Sequence, residues 1–447
     1  MYDSTRKITD VIDQSRISPL QVRVLVLCFL VLLLDGFDTA AIGYIAPELI
    51  SAWNIERADL APAFGAGLFG MLVGSFCFGP IADKKGRKTV LLICVAIFAV
   101  GTLASAFSPN IQILALLRFL TGIGLGGVLP NCVTLSSEYA PARRRMILVT
   151  LSYCGFTLGL ALGGILAGAL LPTIGWQGLL LLGGIAPLVL LPALYFLLPE
   201  SVCFMANSER YATPLRQILG KIAPETDWSK VRIISDTTVR AASPVRTIFA
   251  GGQLPRTLLL WLTFFCCLFV FYLLTNWLPT ILRASGYDTA GSARISAMIP
   301  FGGVLGGIAM ALAMDKIGAL RILPWLCLVA AITLFLTGTQ LDSPTGTFLI
   351  VFLAGFSLTG ALNNLTVVAA TLYSTEARAT GVAWALAVGR AGSIIGSMVG
   401  GWIFTSAGSL QAFFMWIAVP VLLASVALWL IRQPAAARGV PVSAASE

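Results

Sequence analysis

Two aspartates three residues apart, Asp35 and Asp38, stand inside a long apolar run. Spacing of three puts both carboxylates on one face of a helix. The chain contains no histidine, so a proton carried near neutral pH must ride on Asp, Glu or another group. Two arginines are equally isolated from water: Arg118 in a fourth apolar run and Arg390 near the middle of an eleventh. A guanidinium keeps its charge when desolvated and offers a planar fork that suits a carboxylate. Asp38 and Arg118 lie at similar depths, some ~10–12 Å below the same end of their helices. An ion pair between them is therefore allowed, either functional or serving only to orient two helices. Arg390 has three readings: a clamp for an entering carboxylate, a structural bridge, or the cap of a broken helix.

A further acid lies at a helix end. Asp83 sits in Gly79-Pro-Ile-Ala-Asp83-Lys-Lys-Gly86-Arg87-Lys88, one carboxylate among four bases. It is placed to meet the positive N-terminal end of another helix and to latch two parts of the molecule until they open. Gly86 permits a tight turn. The bases alone would hold the loop at a membrane surface.

Positioning these groups requires helices in lipid. Of 447 residues 57% are apolar and only 11% charged, with mean hydropathy +0.90, whereas a soluble domain carries roughly a quarter charged residues. Twelve runs reach the ~20 residues that cross the hydrocarbon: 20–46, 60–82, 89–107, 111–138, 147–171, 176–198, 257–283, 292–314, 320–340, 345–373, 379–406 and 410–431. The first reads as a retained span, because a mixed-charge segment precedes it and two aspartates interrupt it. With both termini cytoplasmic, only Arg57, Arg283 and Arg294 of the 29 basic residues fall on the outer side. The net charge of +9 is then a topological signal and no argument for nucleic acid.

Other chemistries lack their residues. The nine cysteines are odd in number, form no CxxC pair and read as small core residues. A nucleotide-binding P-loop is missing. An intramembrane aspartyl protease needs two aspartates facing across a cleft, and here both share one helix. The expectation is a protein that is not an enzyme, with no cofactor and no metal.

The chain is written twice. A polar segment divides it into 1–198, a linker 199–254, 255–432 and a tail 433–447. The Gly79–Lys88 loop follows the second span, and Asp315-Lys316-Ile-Gly318 follows the eighth. Gly155, Gly159 and Gly163 in the fifth span match Gly392, Gly396 and Gly400 in the eleventh, and Glu138 with Arg143 matches Glu376 with Arg378. Two similar six-helix bundles imply a pseudo-twofold axis along the membrane normal, a site between them near mid-membrane, and alternating access. The glycine stripes allow either sliding of two helices or simple tight packing.

At these residues the chain resembles the major facilitator superfamily. The loop pattern GxxxD(R/K)xGRK is present as Gly79, Asp83, Lys84, Gly86, Arg87 and Lys88. Arg118, Gly122, Gly124 and Gly126 match RxxxGxGxG, and Pro199-Glu200-Ser201 resembles the superfamily's PES element. Asp35-Gly36-Phe37-Asp38 followed by Gly43-Tyr44-Ile45-Ala46-Pro47, together with Tyr373 to Gly381 and Gly389-Arg390, is similar to the aromatic acid:H+ symporter branch. The second-half loop departs from the pattern: Ala311 stands where Gly79 would correspond, and no GRK follows Gly318.

The resemblance implies an all-α polytopic protein of twelve transmembrane helices in the bacterial inner membrane, expected to act as a monomer. It implies proton-coupled uptake of an aromatic carboxylate of the benzoate or hydroxybenzoate class. The alternative is a proton antiporter exporting drugs or other organic anions. Asp35 and Asp38 become the proton-coupling candidates. Arg118 and Arg390, with Phe269, Tyr272, Asn276 and Asn363, become candidates for binding a ring, its carboxylate and its hydroxyl, although membrane aromatics mostly pack or face lipid. Gly79, Asp83, Gly86, Arg87, Glu138, Asp315 and Arg378 become the candidate gate. If an aromatic monoanion joins two aspartates and two arginines, one proton restores neutrality.

Overall fold

The computed structural model describes residues 4–207, 209–225, 228, 231–234, 248–249, 253–341, 343–373 and 377–431. Glu376 and the tail from 433 lie outside this set. Long helices run through it in chain order: α1 (Pro19–Trp53), α2 (Ala61–Lys85), α3 (Arg87–Ser105) and α4 (Ile111–Tyr139). A 53-residue helical stretch, Arg145–Leu197, follows. At 1.5 Å per residue that stretch would be roughly 80 Å long, far more than one crossing of a ~30 Å hydrocarbon layer. Gly175, with φ 64° and ψ −177°, breaks it into α5 (145–174) and α6 (176–197). The second half supplies α7 (Leu254–Ala284), α8 (Met298–Ile317), α9 (Ala319–Thr337), α10 (Pro344–Leu372), α11 (Arg378–Ser406) and α12 (Leu410–Leu430).

Twelve crossings therefore stand where twelve were expected. The departure from an all-helical chain is small: β1 (Ser4–Lys7) pairs in parallel with β2 (Val231–Ile234), joining the N-terminal segment to the linker. Helix starts follow local chemistry. Ser18 and Gln21 form a reciprocal capping box ahead of α1 with Pro19 at its first position, and the Asn110 side chain accepts from Ile113 N at the start of α4. The turns after α2 and α8 are near copies, Gly86 at φ 94°, ψ 149° and Gly318 at φ 96°, ψ 138°. Only glycine tolerates that backbone.

The glycine stripes seat helices inside each half. A Cβ on Gly155 or Gly159 of α5 would run into the backbone carbonyls of Phe29 or Leu33 on α1, and one on Gly36 would meet Phe156 O. In the second half Gly392 and Gly396 of α11 press on the Phe265 and Phe269 carbonyls of α7, and Gly400 on Trp277. Of the two readings open for these stripes, this geometry is tight packing.

The halves meet elsewhere. Close approaches between them cluster from mid-membrane toward the face opposite the linker, here called the far face. Gly43 abuts Thr275 and Asn276, Gly65 abuts Met398, Gly164 abuts Ala297, and Gly168 abuts Ala290 and Arg294. Phe64 stands edge-on to Trp277 with centroids 5.1 Å apart, and Arg57 lies 4.7 Å over the Phe404 ring.

A Gly159→Val substitution is expected to overpack the α1–α5 seat by about 1–3 kcal/mol and lower the apparent melting temperature in detergent. Gly79→Ala is the matched control, because nothing lies within 4 Å of a Cβ built there. Equal melting of the two variants would disprove the seat.

Candidate functional site

The two aspartates of α1 have different environments. Asp38 is buried and faces Arg118 of α4, whose NH1 donates to both carboxylate oxygens at 3.3 and 3.2 Å. The Arg118 NH2 donates to Thr102 and Ser105 of α3 at 3.1 Å each and to Thr121 at 3.4 Å, and the Thr102 hydroxyl donates to Asp38. Three helices are thus tied at one buried point. Beside it a cleft between the halves is lined by Asp38, Thr39, Phe64, Arg118, Thr121 and Asn276.

Asp35 is equally buried but has no such set of partners. Its Oδ1 accepts a long bond of 3.4 Å from Thr39, and its buried Oδ2 has no hydrogen-bond partner. The charge that reaches it from the other half is Arg390 of α11. Arg390 is half-buried and, among the described residues, its guanidinium closes no ion pair. Its charge also reaches the Tyr272 hydroxyl of α7. Asp35, Arg390 and Tyr272 therefore converge near mid-membrane from both halves.

The remaining ring and amide candidates have partners of their own. Asn276 is buried and donates to Ser397 Oγ at 2.8 Å. Phe269 is half-buried and stacks on Phe265, with centroids 6.1 Å apart. Asn363 donates to Gly303 O at 3.4 Å, bridging α10 to α8.

On the linker face Arg87 joins Asp83 at 2.7 Å, Glu138 at 3.7 Å and Asn131 at 3.3 Å. Asp83 pairs with its own loop and its side chain is 66% exposed, so it meets no helix end of the other half in this conformation. Arg378 is exposed on the same face. Asp315 lies in the last turn of α8, and its side chain lies outside the described set.

Glu200 and Ser201 follow α6 and complete this cluster. The Ser201 hydroxyl donates to Glu138. Glu200 Oε1 accepts from Lys88 N at 2.9 Å and from Ser201 N at 2.8 Å, and a Cβ on Gly86 would collide with the Glu200 carboxylate. Gly86 is needed for its φ, and a side chain there would also displace the Glu200 carboxylate. Gly79 has open space around it.

Sequence reasoning missed several of these residues. Thr102 and Ser105 were legible as hydroxyls within an apolar helix, but nothing local pointed them at Arg118. Glu200 appeared only within the PES element. Gly65 carries no periodic signal, and the four-residue spacing of Gly164 and Gly168 does not say that they face the other half.

Comparison with known proteins places these features. Residues 28–363 match the Major Facilitator Superfamily. The chain is 42% identical to the 4-hydroxybenzoate transporter of Pseudomonas aeruginosa, covering 94% of each sequence. It is 40% identical to a gallate transporter of Pseudomonas putida, covering 95% of each. The fold matches the inward-open xylose transporter of E. coli with a TM-score of 0.71 at 17% identity, covering 92% of this chain and 96% of that one.

Removing one member of a buried ion pair costs about 3–5 kcal/mol, so Arg118→Ala is expected to lower the apparent melting temperature sharply. Asp35→Asn, which breaks no closed pair, is expected to melt close to the parent protein. Thermal unfolding in detergent reads the difference; an Asp35→Asn protein as unstable as Arg118→Ala would contradict this division of roles.

Proposed function

The chain belongs to the major facilitator superfamily, as a multi-pass transporter of the bacterial inner membrane allied to the aromatic-acid carriers, and we propose that it takes up a hydroxybenzoate-class anion together with protons. One observation carries the reading: among the described residues, an arginine that closes no ion pair lies within electrostatic reach, from the other half, of a buried carboxylate oxygen without a hydrogen-bond partner.

Arg390 is the group for the substrate carboxylate. Its planar donors fit that group bidentately, and its charge survives desolvation. Asp38 and Arg118 neutralise each other. Asp35, Arg390 and the incoming monoanion then leave one negative charge, which a proton on Asp35 cancels. Binding of anion and proton thereby become a single thermodynamic event, and the loaded site carries no net charge through the membrane. Transport of one proton per anion is electroneutral.

Alternating access draws support from the distribution of contacts. The far face is closed by Gly43, Gly65, Phe64 and Arg57 against the other half, whereas Asp83 and Arg378 stand exposed on the linker face. With the linker cytoplasmic, as the basic residues favour, this conformation faces inward. In the outward-facing conformation the linker-face residues Asp83, Arg87, Glu138, Asp315 and Arg378 are the groups available to close the opposite end.

In proteoliposomes, labelled 4-hydroxybenzoate is expected to accumulate under an inwardly directed proton gradient and to be indifferent to an imposed potential. Asp35→Asn is expected to exchange substrate across the membrane but to lose gradient-driven accumulation. Arg390→Lys, which keeps the charge and loses the fork, is expected to raise KM roughly tenfold or more. Full accumulation by Asp35→Asn would remove that residue from coupling, and substrate efflux driven by proton entry would favour the antiport reading instead.

A further inference from the structure

We infer that Tyr153 of α5 reads a hydroxyl on the substrate ring, an assignment that rests on the transport reading above. The glycine seats of Gly36 on Phe156 and of Gly155 on Phe29 hold the Tyr153 turn against the α1 turn that carries Asp35. From the other half, Arg390 and Tyr272 come close enough to act on the Tyr153 hydroxyl, as does Asp35 from its own half. The ring is fixed against Phe156, centroids 6.1 Å apart.

Its hydroxyl differs from those of Tyr44 and Tyr139, although the buried Tyr373 hydroxyl likewise has no partner among the described residues. Tyr44 donates to Leu160 O at 3.1 Å and Tyr139 to Glu200 O at 2.6 Å, whereas the Tyr153 hydroxyl makes no hydrogen bond among the described residues and is not sealed from solvent. A phenol in a lipid-embedded protein ordinarily finds a partner. Here the polar surroundings are the mid-membrane convergence itself.

The two tyrosines divide the ligand between them. Tyr272 and Arg390 belong to one half and act on each other, so they are assigned to the carboxylate end. Tyr153 comes from the other half and is assigned to the opposite end of a ring held by Arg390. A phenol both donates and accepts, which matches a ring hydroxyl that does both. A site built to bond a hydroxyl discriminates against the analogue that lacks one, because its own polar group is then left unpaired. Bridging the halves through the ligand also gives a bound hydroxylated ring a means to draw them together.

The test compares saturable uptake of 4-hydroxybenzoate and benzoate by the full-length protein and by Tyr153→Phe, which removes one oxygen and keeps the ring. The parent protein is expected to favour 4-hydroxybenzoate in kcat/KM, and Tyr153→Phe to lose roughly tenfold of that preference, through weaker 4-hydroxybenzoate uptake, stronger benzoate uptake or both. A parent protein with no preference, or a variant in which both acids change equally or neither changes, overturns the role of Tyr153 and leaves aromatic-acid transport standing. Absence of saturable uptake of either acid by the parent protein overturns both readings.

Discussion

Hydrocarbon does not solvate charge, and an ionised side chain near mid-membrane costs roughly 2.5–3.5 kcal/mol on insertion scales. That constraint sorts the charged residues of the spans into two kinds. Asp38 and Arg118 meet it for the most part, through each other and through the hydroxyls of Thr102, Ser105 and Thr121, with only Arg118 Nε left without a partner. Asp35 and Arg390 meet it only in part, within electrostatic reach of each other from opposite halves but without closing a pair. In the proposed cycle that incompleteness is the working feature, since a closed pair there would compete with both the anion and the proton.

Close packing separates what is rigid from what moves in that cycle. Inside each half, glycine stripes let α5 rest on the backbone of α1 and α11 on that of α7, so the residues of each half travel together. Between the halves the contacts are of another kind: single glycines against side chains or short backbone segments, one edge-on ring pair and one arginine over a ring. The arginines that the charge count places on the outer side reappear at this seam. Arg57 covers Phe404, Arg294 lies against Gly168, and Arg283 acts on Glu48 of α1. Their exception to the basic-inside pattern coincides with the place where the halves touch.

The linker face shows the opposite condition. Asp83 is held by Arg87 of its own loop, and Glu200 secures the start of α3 beneath Gly86. The loop is thus organised within the first half before anything from the second reaches it. A latch that closes this face in the proposed cycle would engage a preformed surface.

Much of the architecture is legible in the chain because lipid imposes it locally. A run of some twenty apolar residues must be a crossing helix, so the spans could be counted from composition, and the similar φ and ψ of Gly86 and Gly318 agree with the repeat read from their spacing. Spacing also put Asp35 and Asp38 on one helix face, and depth allowed Asp38 to meet Arg118. Periodicity could not say which neighbour each aspartate sees, because three residues along a helix still lead to different adjoining helices. It did not find Tyr153, which is one ring among many until α5 is seated on α1. By itself the sequence determined the membrane fold, the doubling and the small set of intramembrane charges, since each follows from the cost of exposing polar groups to hydrocarbon. Only the tertiary structure decided that buried Asp38 is paired and buried Asp35 is not, because that depends on which side chains from α3, α4 and α11 reach the same point in space.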